Sequence, residues 1–160
     1  MRKLIDNLYV GNGESLKSIN KDFYVVHAAK IPWHKSMARY TKNALPKDHK
    51  FYFWVESSDE IALNLIDAEN SDYIPKQVID KAIDCIRLQI RHRPVLVHCN
   101  QGHSRSAVIA LLYLATTGEY RGFSFDQAER KFAKIYPEYL PGKGMREFAR
   151  KYWGYYNADT

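Results

Sequence analysis

Short apolar runs in the first half of the chain predict β-strands. They cover residues 8–10, 23–28, 51–55 and 62–66, and they are rich in β-branched and aromatic side chains. Such runs between turn-forming residues are typical of strands. The segment 30–50 between the second and third runs is polar, basic and aromatic, and its two prolines favour a long loop, which at this length is often functional.

The second half of the chain alternates between helix and strand patterns. Residues 74–91 place apolar side chains three and four positions apart, which predicts a helix with one buried face. The Val-Leu-Val run at 95–97 predicts a central strand that is covered on both faces. Residues 106–117 are apolar nearly all round and predict a buried helix that ends at Gly118.

Two further helices are expected near the C-terminus. Ser124 and Gln127 form the pattern of a capping box, which predicts a helix that ends near Tyr136. Residues 145–155 predict a final amphipathic helix. Because helices and strands alternate through the middle of the chain, we expect an α/β fold with a central, mostly parallel sheet flanked by helices.

Length and composition fit a single domain over residues 1–160, with 46% hydrophobic and 26% charged residues. The two cysteines are too few for a disulfide framework and no metal-ligand spacing occurs, so we expect no cofactor and a reducing, cytoplasmic location. No apolar run resembles a signal peptide or is long enough to cross a bilayer, so no membrane anchor is expected. The net charge of +6 favours anionic partners.

The chemistry is concentrated in the segment that joins the predicted strand at 95–97 to the predicted helix at 106–117. Ligands of open α/β folds tend to bind at this edge of the sheet. A loop that enters a helix presents free backbone N–H groups and the positive end of the helix dipole, and consecutive N–H groups make a nest for an anion. Gly102 permits a backbone conformation that a side chain opposes, and Arg105 adds a planar fork for two phosphate oxygens.

Cys99 lies at the mouth of this predicted nest. The field that binds a phosphate also stabilises a thiolate, which is the nucleophilic form of cysteine. Attack of the sulfur on phosphorus would give a covalent phosphocysteine, which water then hydrolyses. The second cysteine, Cys85, is predicted to be a packing residue of the 74–91 helix; the alternative is a partner that traps oxidised Cys99 as a disulfide.

The sequence His-Cys-Asn-Gln-Gly-His-Ser-Arg-Ser at residues 98–106 resembles the signature of the protein tyrosine phosphatase superfamily. In that signature a cysteine is followed by five residues, an arginine, and a serine or threonine. The glycine three positions after the cysteine and the Ser-Arg-Ser ending resemble the dual-specificity branch. The runs at 7–11 and 82–84 also resemble that branch. The resemblance implies a phosphatase-like three-layer fold.

The same resemblance implies roles for individual residues. Cys99 would be the nucleophile, Arg105 would bind phosphate and stabilise the transition state, and Ser106 would hydrogen-bond the sulfur and help it leave in the second step. His98 would support the loop and tune the thiolate. The phosphate would be held by the loop residues Asn100, Gln101, Gly102, His103, Ser104 and Arg105.

The first step needs a general acid that protonates the departing oxygen. In the family this acid is an aspartate well before the cysteine, and Asp67 stands 32 residues before Cys99, just past a predicted strand. We therefore expect Asp67 to be the acid, at the sheet edge near the loop. Asp72 and Asp59 compete because they also lie in predicted loops, and Glu69 because an ungapped alignment with some relatives puts it in the acid's place.

The expected function is hydrolysis of phosphotyrosine, and of phosphoserine or phosphothreonine, in a phosphoprotein partner. No metal is implied, because the thiolate, Arg105 and the nest supply the electrostatics. Two alternatives stay open. One is the same chemistry on RNA 5′-phosphates or phosphoinositides, which the basic charge favours only weakly, so a nucleic-acid partner ranks behind a phosphoprotein. The other is a non-catalytic phosphate-binding module.

Overall fold

One six-stranded sheet forms the centre of the protein in the computed structural model, which describes residues 1–158. All four strands predicted in the first half of the chain, and the one at 95–97, occur in it. The strands are β1 (Arg2–Ile5), β2 (Leu8–Gly11), β3 (Tyr24–His27), β4 (Trp54–Glu56), β5 (Glu60–Leu63) and β6 (Val95–His98).

The strand order across the sheet is β1-β2-β6-β3-β5-β4. The pairings β2–β6, β6–β3 and β3–β5 are parallel, whereas the outer strands β1 and β4 run antiparallel to their neighbours. The prediction of a central, mostly parallel sheet is therefore confirmed. Because the parallel strands end at the same edge, Gly11 and His27 both stand opposite His98 there.

Six α-helices lie within residues 1–158, and the predicted ones occur close to their expected places. They are α1 (Lys35–Ala38), α2 (Lys76–Gln89), α3 (Arg105–Thr116), α4 (Phe125–Ile135), α5 (Lys143–Lys151) and α6 (Trp153–Tyr156). The apolar helix α3 is buried and packs on β6 and β2 and against α2, α5 and α6. The capping box of Ser124 and Gln127 opens α4 as predicted. No helix in this described range is long and apolar enough to span a membrane.

Several elements differ from the sequence-based expectation: α1 lies within the segment 30–50 that is predicted to be a loop, and β5 begins two residues earlier and ends three residues earlier than predicted. The sequence does not predict β1, because this edge strand exposes Arg2 and Lys3 and contains no apolar run. The strand predicted at 51–55 is shortened to β4, because residues 51–53 belong to a turn and a bend. The predicted final helix is divided at Tyr152, whose backbone leaves the helical conformation between α5 and α6.

The two faces of the sheet bury different groups. Tyr24, Val26 and Val97 belong to the main hydrophobic core, which the sheet forms with α2 and α3. Because side chains alternate along a strand, His27 and His98 point to the opposite face, where both are buried. The sheet edge that carries the candidate chemistry is therefore supported from both sides.

Candidate active site

Cys99 follows β6 directly and begins the phosphate loop (residues 99–105), which ends where α3 begins. Its side chain is buried. The backbone N–H of Gly102 donates to the Cys99 sulfur at 3.3 Å, and the hydroxyl oxygen of Ser106 lies 3.2 Å from it. The Ser106 hydroxyl also lies within 3.4 Å of the Gly11 carbonyl oxygen. One backbone N–H and one hydroxyl thus lie within hydrogen-bond distance of the sulfur.

The backbone of the phosphate loop is available to an anion. Gly102 has φ +79°, a left-handed conformation that suits glycine, and a side chain there would meet the Gly11 carbonyl oxygen at 2.9 Å. Free N–H groups at the start of a helix form a phosphate site together with the helix dipole. Within residues 1–158, no protein group accepts from the amide N–H groups of Asn100, Gln101, His103, Ser104 and Arg105.

Arg105 is held by two contacts that leave part of its guanidinium unused. Its Nη1 donates to the Leu65 carbonyl at 3.1 Å, and its Nη2 donates to the Asn100 side-chain oxygen at 2.8 Å. The Asn100 amide in turn donates to the Ile31 carbonyl at 3.1 Å. The Nε atom of Arg105 is buried and has no partner among the described residues. An orphan buried donor costs about 1–3 kcal/mol, so an anion that accepts from it would bind favourably.

Asp67 lies on the segment after β5, and its carboxylate reaches the phosphate loop. The Ser104 hydroxyl donates to Oδ1 of Asp67 at 2.9 Å and accepts from the Gly142 N–H at 2.8 Å. The other oxygen, Oδ2, takes no hydrogen bond from any residue in the described range. One carboxylate oxygen is therefore anchored, while the other takes no hydrogen bond from the described residues. Gly142 leaves room for this arrangement, since a Cβ atom there would lie 2.6 Å from Oδ1.

The fold separates Asp67 from the three competing acidic residues. Asp59 precedes β5 and Asp67 follows it, so the strand places them at opposite edges of the sheet. Asp59 forms an ion pair with Arg93 at 2.8 Å. Glu69 and Asp72 are exposed residues outside the cleft of the phosphate loop. Among the four candidates, Asp67 shares that cleft with Cys99, and its role as general acid stays a prediction.

A cleft of about 480 Å³ opens above the phosphate loop. His103 lies within it, contacts the Glu138 carbonyl through Nδ1 at 2.8 Å, and accepts from the Leu140 N–H at 2.9 Å through its own carbonyl. His103 thus ties the loop to the wall that residues 138–142 form. Residues 1–158 contain no cluster of side chains suited to a metal ion. The cleft is lined by Asp67, Cys99, Asn100, Gln101, His103, Ser104, Arg105, Leu140, Pro141 and Gly142.

A hydrogen-bonded chain of two histidines and a glutamate lies behind the phosphate loop, on the other face of the sheet. His98 Nε2 is 2.6 Å from His27 Nδ1, and His27 Nε2 is 3.0 Å from a carboxylate oxygen of Glu60. His98 Nδ1 faces the Cys99 carbonyl at 3.3 Å. Burial lowers the pKa of His27 to about 4, and burial together with the charge of His27 lowers the pKa of His98 to about 3. Trp33 stacks on the His27 ring and meets the His98 ring edge-on.

Comparison with known proteins identifies the fold. No family model and no curated protein matches this chain. Human DUSP28 aligns over 100% of both chains with a TM-score of 0.65 and 17% identity. A human tyrosine phosphatase-like serine/threonine/tyrosine-interacting protein aligns over 99% of this chain and 98% of its own, with a TM-score of 0.65 and 21% identity. A mouse putative dual specificity phosphatase, solved with zinc tungstate, aligns over 94% of this chain and 84% of its own, with a TM-score of 0.59 and 18% identity.

The chain has the dual-specificity phosphatase fold. This finding confirms the expected three-layer α/β architecture, with the sheet between helical layers. In this fold the loop of residues 99–105 joins the central strand β6 to the buried helix α3. The local order of strand, loop and helix therefore agrees with the sequence-based prediction.

Several residues around the site of this dual-specificity phosphatase fold are not predicted from the sequence. The Leu65 carbonyl, Gly142, Glu60 and Trp33 come from separate parts of the chain and meet only in the folded structure. The sequence does contain an indication that His27 belongs to the site, because it is a polar residue at the end of an otherwise apolar predicted strand. Such a residue at the sheet edge beside the loop is a reasonable candidate for a supporting contact.

Cys85 does not approach the phosphate loop. It is a buried residue of α2 beside Tyr24, at the start of β3, whereas Cys99 follows the end of the neighbouring strand β6. A four-residue strand spans roughly 13 Å, while a disulfide requires Cα atoms less than about 7 Å apart. The structure therefore excludes a disulfide between the two cysteines without rearrangement of the fold. The alternative role for Cys85 is wrong, and its role in helix packing fits the structure.

Proposed function

We propose that this chain is a cysteine-dependent phosphatase that hydrolyses phosphotyrosine, and phosphoserine or phosphothreonine, in proteins through a phosphocysteine intermediate. One observation carries the proposal: the Cys99 sulfur lies within hydrogen-bond distance of the Gly102 N–H and the Ser106 hydroxyl, in the same cleft that contains Arg105 and Asp67. The similar mouse protein is described as a putative dual specificity phosphatase, which supports the substrate class.

The first step would transfer the phosphoryl group to sulfur. A phosphate dianion would accept hydrogen bonds from the free loop amides and from Arg105, which stabilise the charge on its oxygens in the transition state. The Cys99 thiolate would attack phosphorus as the bond to the leaving oxygen breaks. Asp67 would give its proton to that oxygen. The products of this step are a phosphocysteine and a free hydroxyl on the protein substrate.

The second step would release inorganic phosphate. Water would attack the phosphorus of the phosphocysteine, and the Asp67 carboxylate would accept the proton that the water loses. The sulfur–phosphorus bond breaks and returns the thiolate. The Ser106 hydroxyl, 3.2 Å from the sulfur, and the Gly102 N–H are placed to donate to the departing thiolate. The Ser106 proton would then turn from the Gly11 carbonyl to the sulfur.

An acid-quench experiment tests the intermediate. The protein is mixed with para-nitrophenyl phosphate, quenched in acid during turnover, digested and examined by mass spectrometry. We expect a phosphoryl adduct on the peptide that contains Cys99 and none on the peptide that contains Cys85. Turnover without an adduct on Cys99, or turnover that persists in Cys99→Ser, would contradict the phosphocysteine intermediate.

A second candidate is the same chemistry on a polyanionic substrate, either an RNA 5′-phosphate or a phosphoinositide. Residues 30–50 contain six of the 24 Lys and Arg residues and one of the 18 Asp and Glu residues, so they carry +5 of the net charge of +6. This basic segment begins at the cleft, where the Ile31 carbonyl accepts from Asn100. Turnover of a phosphotyrosine peptide, an RNA 5′-triphosphate and a phosphoinositide should be compared under identical conditions. Faster turnover of either polyanion than of the peptide would identify that polyanion, instead of a phosphoprotein, as the substrate class.

A third candidate is a phosphate-binding module without turnover. One of the similar solved structures is named a phosphatase-like interacting protein, which motivates this candidate. The combination of Cys99, Arg105, Asp67 and Ser106 around one cleft favours catalysis instead. A stoichiometric complex with a phosphotyrosine peptide, combined with no turnover of para-nitrophenyl phosphate, would identify a binding module.

A further inference from the structure

The chain of Glu60, His27 and His98 does not contain enough protons when both rings are neutral. Three contacts link the Glu60 carboxylate to His27, His27 to His98, and His98 to the Cys99 carbonyl oxygen. Each contact requires one proton, but two neutral imidazoles carry only two. The low pKa values of both buried rings make this neutral state the one present at neutral pH.

The carboxylate decides which contact is left without a proton. An ionised carboxylate only accepts, and it is the strongest acceptor in the chain, so His27 donates to Glu60 from Nε2. His27 Nδ1 is then an acceptor and takes the proton on His98 Nε2. His98 Nδ1 consequently has no proton and cannot donate to the Cys99 carbonyl. The contact nearest to the nucleophile is therefore the one that is lost.

One additional proton satisfies all three contacts. If it resides on Glu60 or on His27, His27 can donate from Nδ1 to His98 Nε2. His98 then carries its proton on Nδ1 and donates it to the Cys99 carbonyl. A protonation event at one end of the chain thus makes a hydrogen bond to the backbone of the nucleophile at the other end.

We propose that Glu60, His27 and His98 form a proton-linked positioning device, in which uptake of one proton anchors the backbone of Cys99 and orders the phosphate loop for catalysis. Glu60 and His27 are positioning residues in this device, because they act through His98. Its effect on turnover rests on the proposed function, whereas its proton chemistry does not.

The surroundings of the three hydrogen-bonded side chains indicate where the additional proton enters. The Glu60 side chain is 42% exposed, whereas the side chain of His27 is 6% exposed and His98 is fully buried. β6 contributes His98, β5 contributes Glu60, and the segment after β3 contributes Trp33, whose uncharged ring covers both histidines. Protons would therefore reach the hydrogen-bonded chain from solvent at its exposed Glu60 end.

Nitrogen-15 NMR of histidine-labelled protein tests the device without any need for turnover, since it reports which ring nitrogens carry protons. In the wild-type protein we expect His98 Nδ1 to lack a proton at about pH 8 and to gain one on acidification to about pH 4 and below. In Glu60→Gln the amide can donate to His27 Nε2, so the chain is satisfied without the extra proton. His98 Nδ1 should then be protonated throughout this pH range.

Glu56→Gln is the matched control, because it removes a carboxylate of the adjacent strand β4 that pairs with Lys81 instead of the histidine chain. In Glu56→Gln, the protonation of His98 Nδ1 should depend on pH as it does in the wild type. A wild-type His98 Nδ1 that is protonated at every pH, or a Glu60→Gln variant that titrates like the wild type, would overturn the proposal.

Turnover of para-nitrophenyl phosphate provides the second readout. Because Glu60→Gln would keep the loop anchored, its kcat near neutral pH should exceed that of the wild type and of Glu56→Gln by about 2- to 10-fold, the worth of one hydrogen bond. Its KM should change less. A kcat for Glu60→Gln equal to the wild type at every pH would contradict the link to catalysis. If all forms lack activity while the NMR result is as expected, the proposed function fails and the proton device stands.

Discussion

The two cysteines of this protein are both buried, yet their surroundings have little in common. Cys85 packs on α2 beside Tyr24, and burial raises the pKa of its thiol. Cys99 lies where a central strand turns into the start of a helix, and its sulfur faces the Gly102 N–H and the Ser106 hydroxyl. Burial alone makes a thiol inert, whereas the nucleophilic role proposed for Cys99 depends on the polar groups that face its sulfur. The difference lies in the backbone geometry around the sulfur.

The strongest test of the difference between Cys99 and Cys85 replaces one cysteine at a time. Cys99→Ser should lower kcat for para-nitrophenyl phosphate by at least about 10⁴-fold, because a serine hydroxyl is a far weaker nucleophile in a site built for a thiolate. Cys85→Ser should change kcat by less than about twofold, because it touches packing alone. Binding of inorganic phosphate, measured by calorimetry, should survive in Cys99→Ser. Comparable losses in the two variants would contradict the assignment.

The next largest effect concerns the guanidinium. Arg105→Lys should lower kcat/KM by about 10²- to 10³-fold, because one ammonium cannot donate to Leu65, Asn100 and a phosphate in a fork geometry. Arg93→Lys is the matched control at the opposite sheet edge, where the arginine pairs with Asp59. Steady-state kinetics give kcat/KM for Arg105→Lys and for the Arg93→Lys control. A lysine enzyme as active as the control would show that the fork is not needed.

The general acid is tested by the dependence on the leaving group. Asp67→Asn should slow an alkyl phosphate by about 10²-fold or more, because its alkoxide cannot leave without a proton. The effect on para-nitrophenyl phosphate should be smaller, since that phenoxide leaves more easily. Asp59→Asn serves as the control at the other end of β5. An equal loss with both substrates would indicate a structural role for Asp67, and no loss would move the acid to Asp72 or Glu69.

The smallest predicted effect concerns acid stability at the Cys99 edge. The pKa values of His27 and His98 are lowered to about 4 and about 3 in the folded state, so the unfolded chain takes up protons first as the pH falls below about 6.5. The free energy of unfolding should therefore decrease as the pH falls from about 6.5 toward 4, by on the order of 2 kcal/mol for each histidine and about 4 kcal/mol in total at pH 5. Urea unfolding at a series of pH values measures this.

Two variants make that measurement specific. His27→Asn should reduce the loss of stability on acidification, because it removes one of the two buried groups. His92→Asn, at an exposed position, should leave the loss unchanged. A stability that does not vary between pH 7 and pH 5 in the wild type would contradict the buried, neutral histidines.

The sequence predicts the phosphate loop well because its parts are contiguous. The strand β6, the loop and the helix α3 follow one another along the chain, so hydrophobic pattern and motif identify the same place. The sheet and the helices were predictable for the same reason: their apolar residues repeat locally. The exposed strand β1 has no such repeat, and the apolar pattern of residues 145–155 continues through the break at Tyr152.

The rest of the site depends on contacts between distant segments. Sequence spacing reduced the acid to four candidates, and the direction of β5 then separated Asp67 from Asp59. The anchor of Asp67 on Ser104 and Gly142 requires a turn from a region some seventy-five residues later, which no local pattern reveals. The histidine chain joins three strands, so only the strand order brings its members together.

Differential alkylation is the most direct test of the account. The native protein is treated with a limiting amount of iodoacetate at about pH 6, with and without inorganic phosphate, and both cysteine peptides are quantified by mass spectrometry. We predict that Cys99 is carboxymethylated at least about tenfold faster than Cys85 and that phosphate protects Cys99. Equal labelling of Cys99 and Cys85, or labelling of Cys99 that phosphate does not slow, would contradict a thiolate held in an anion-binding loop.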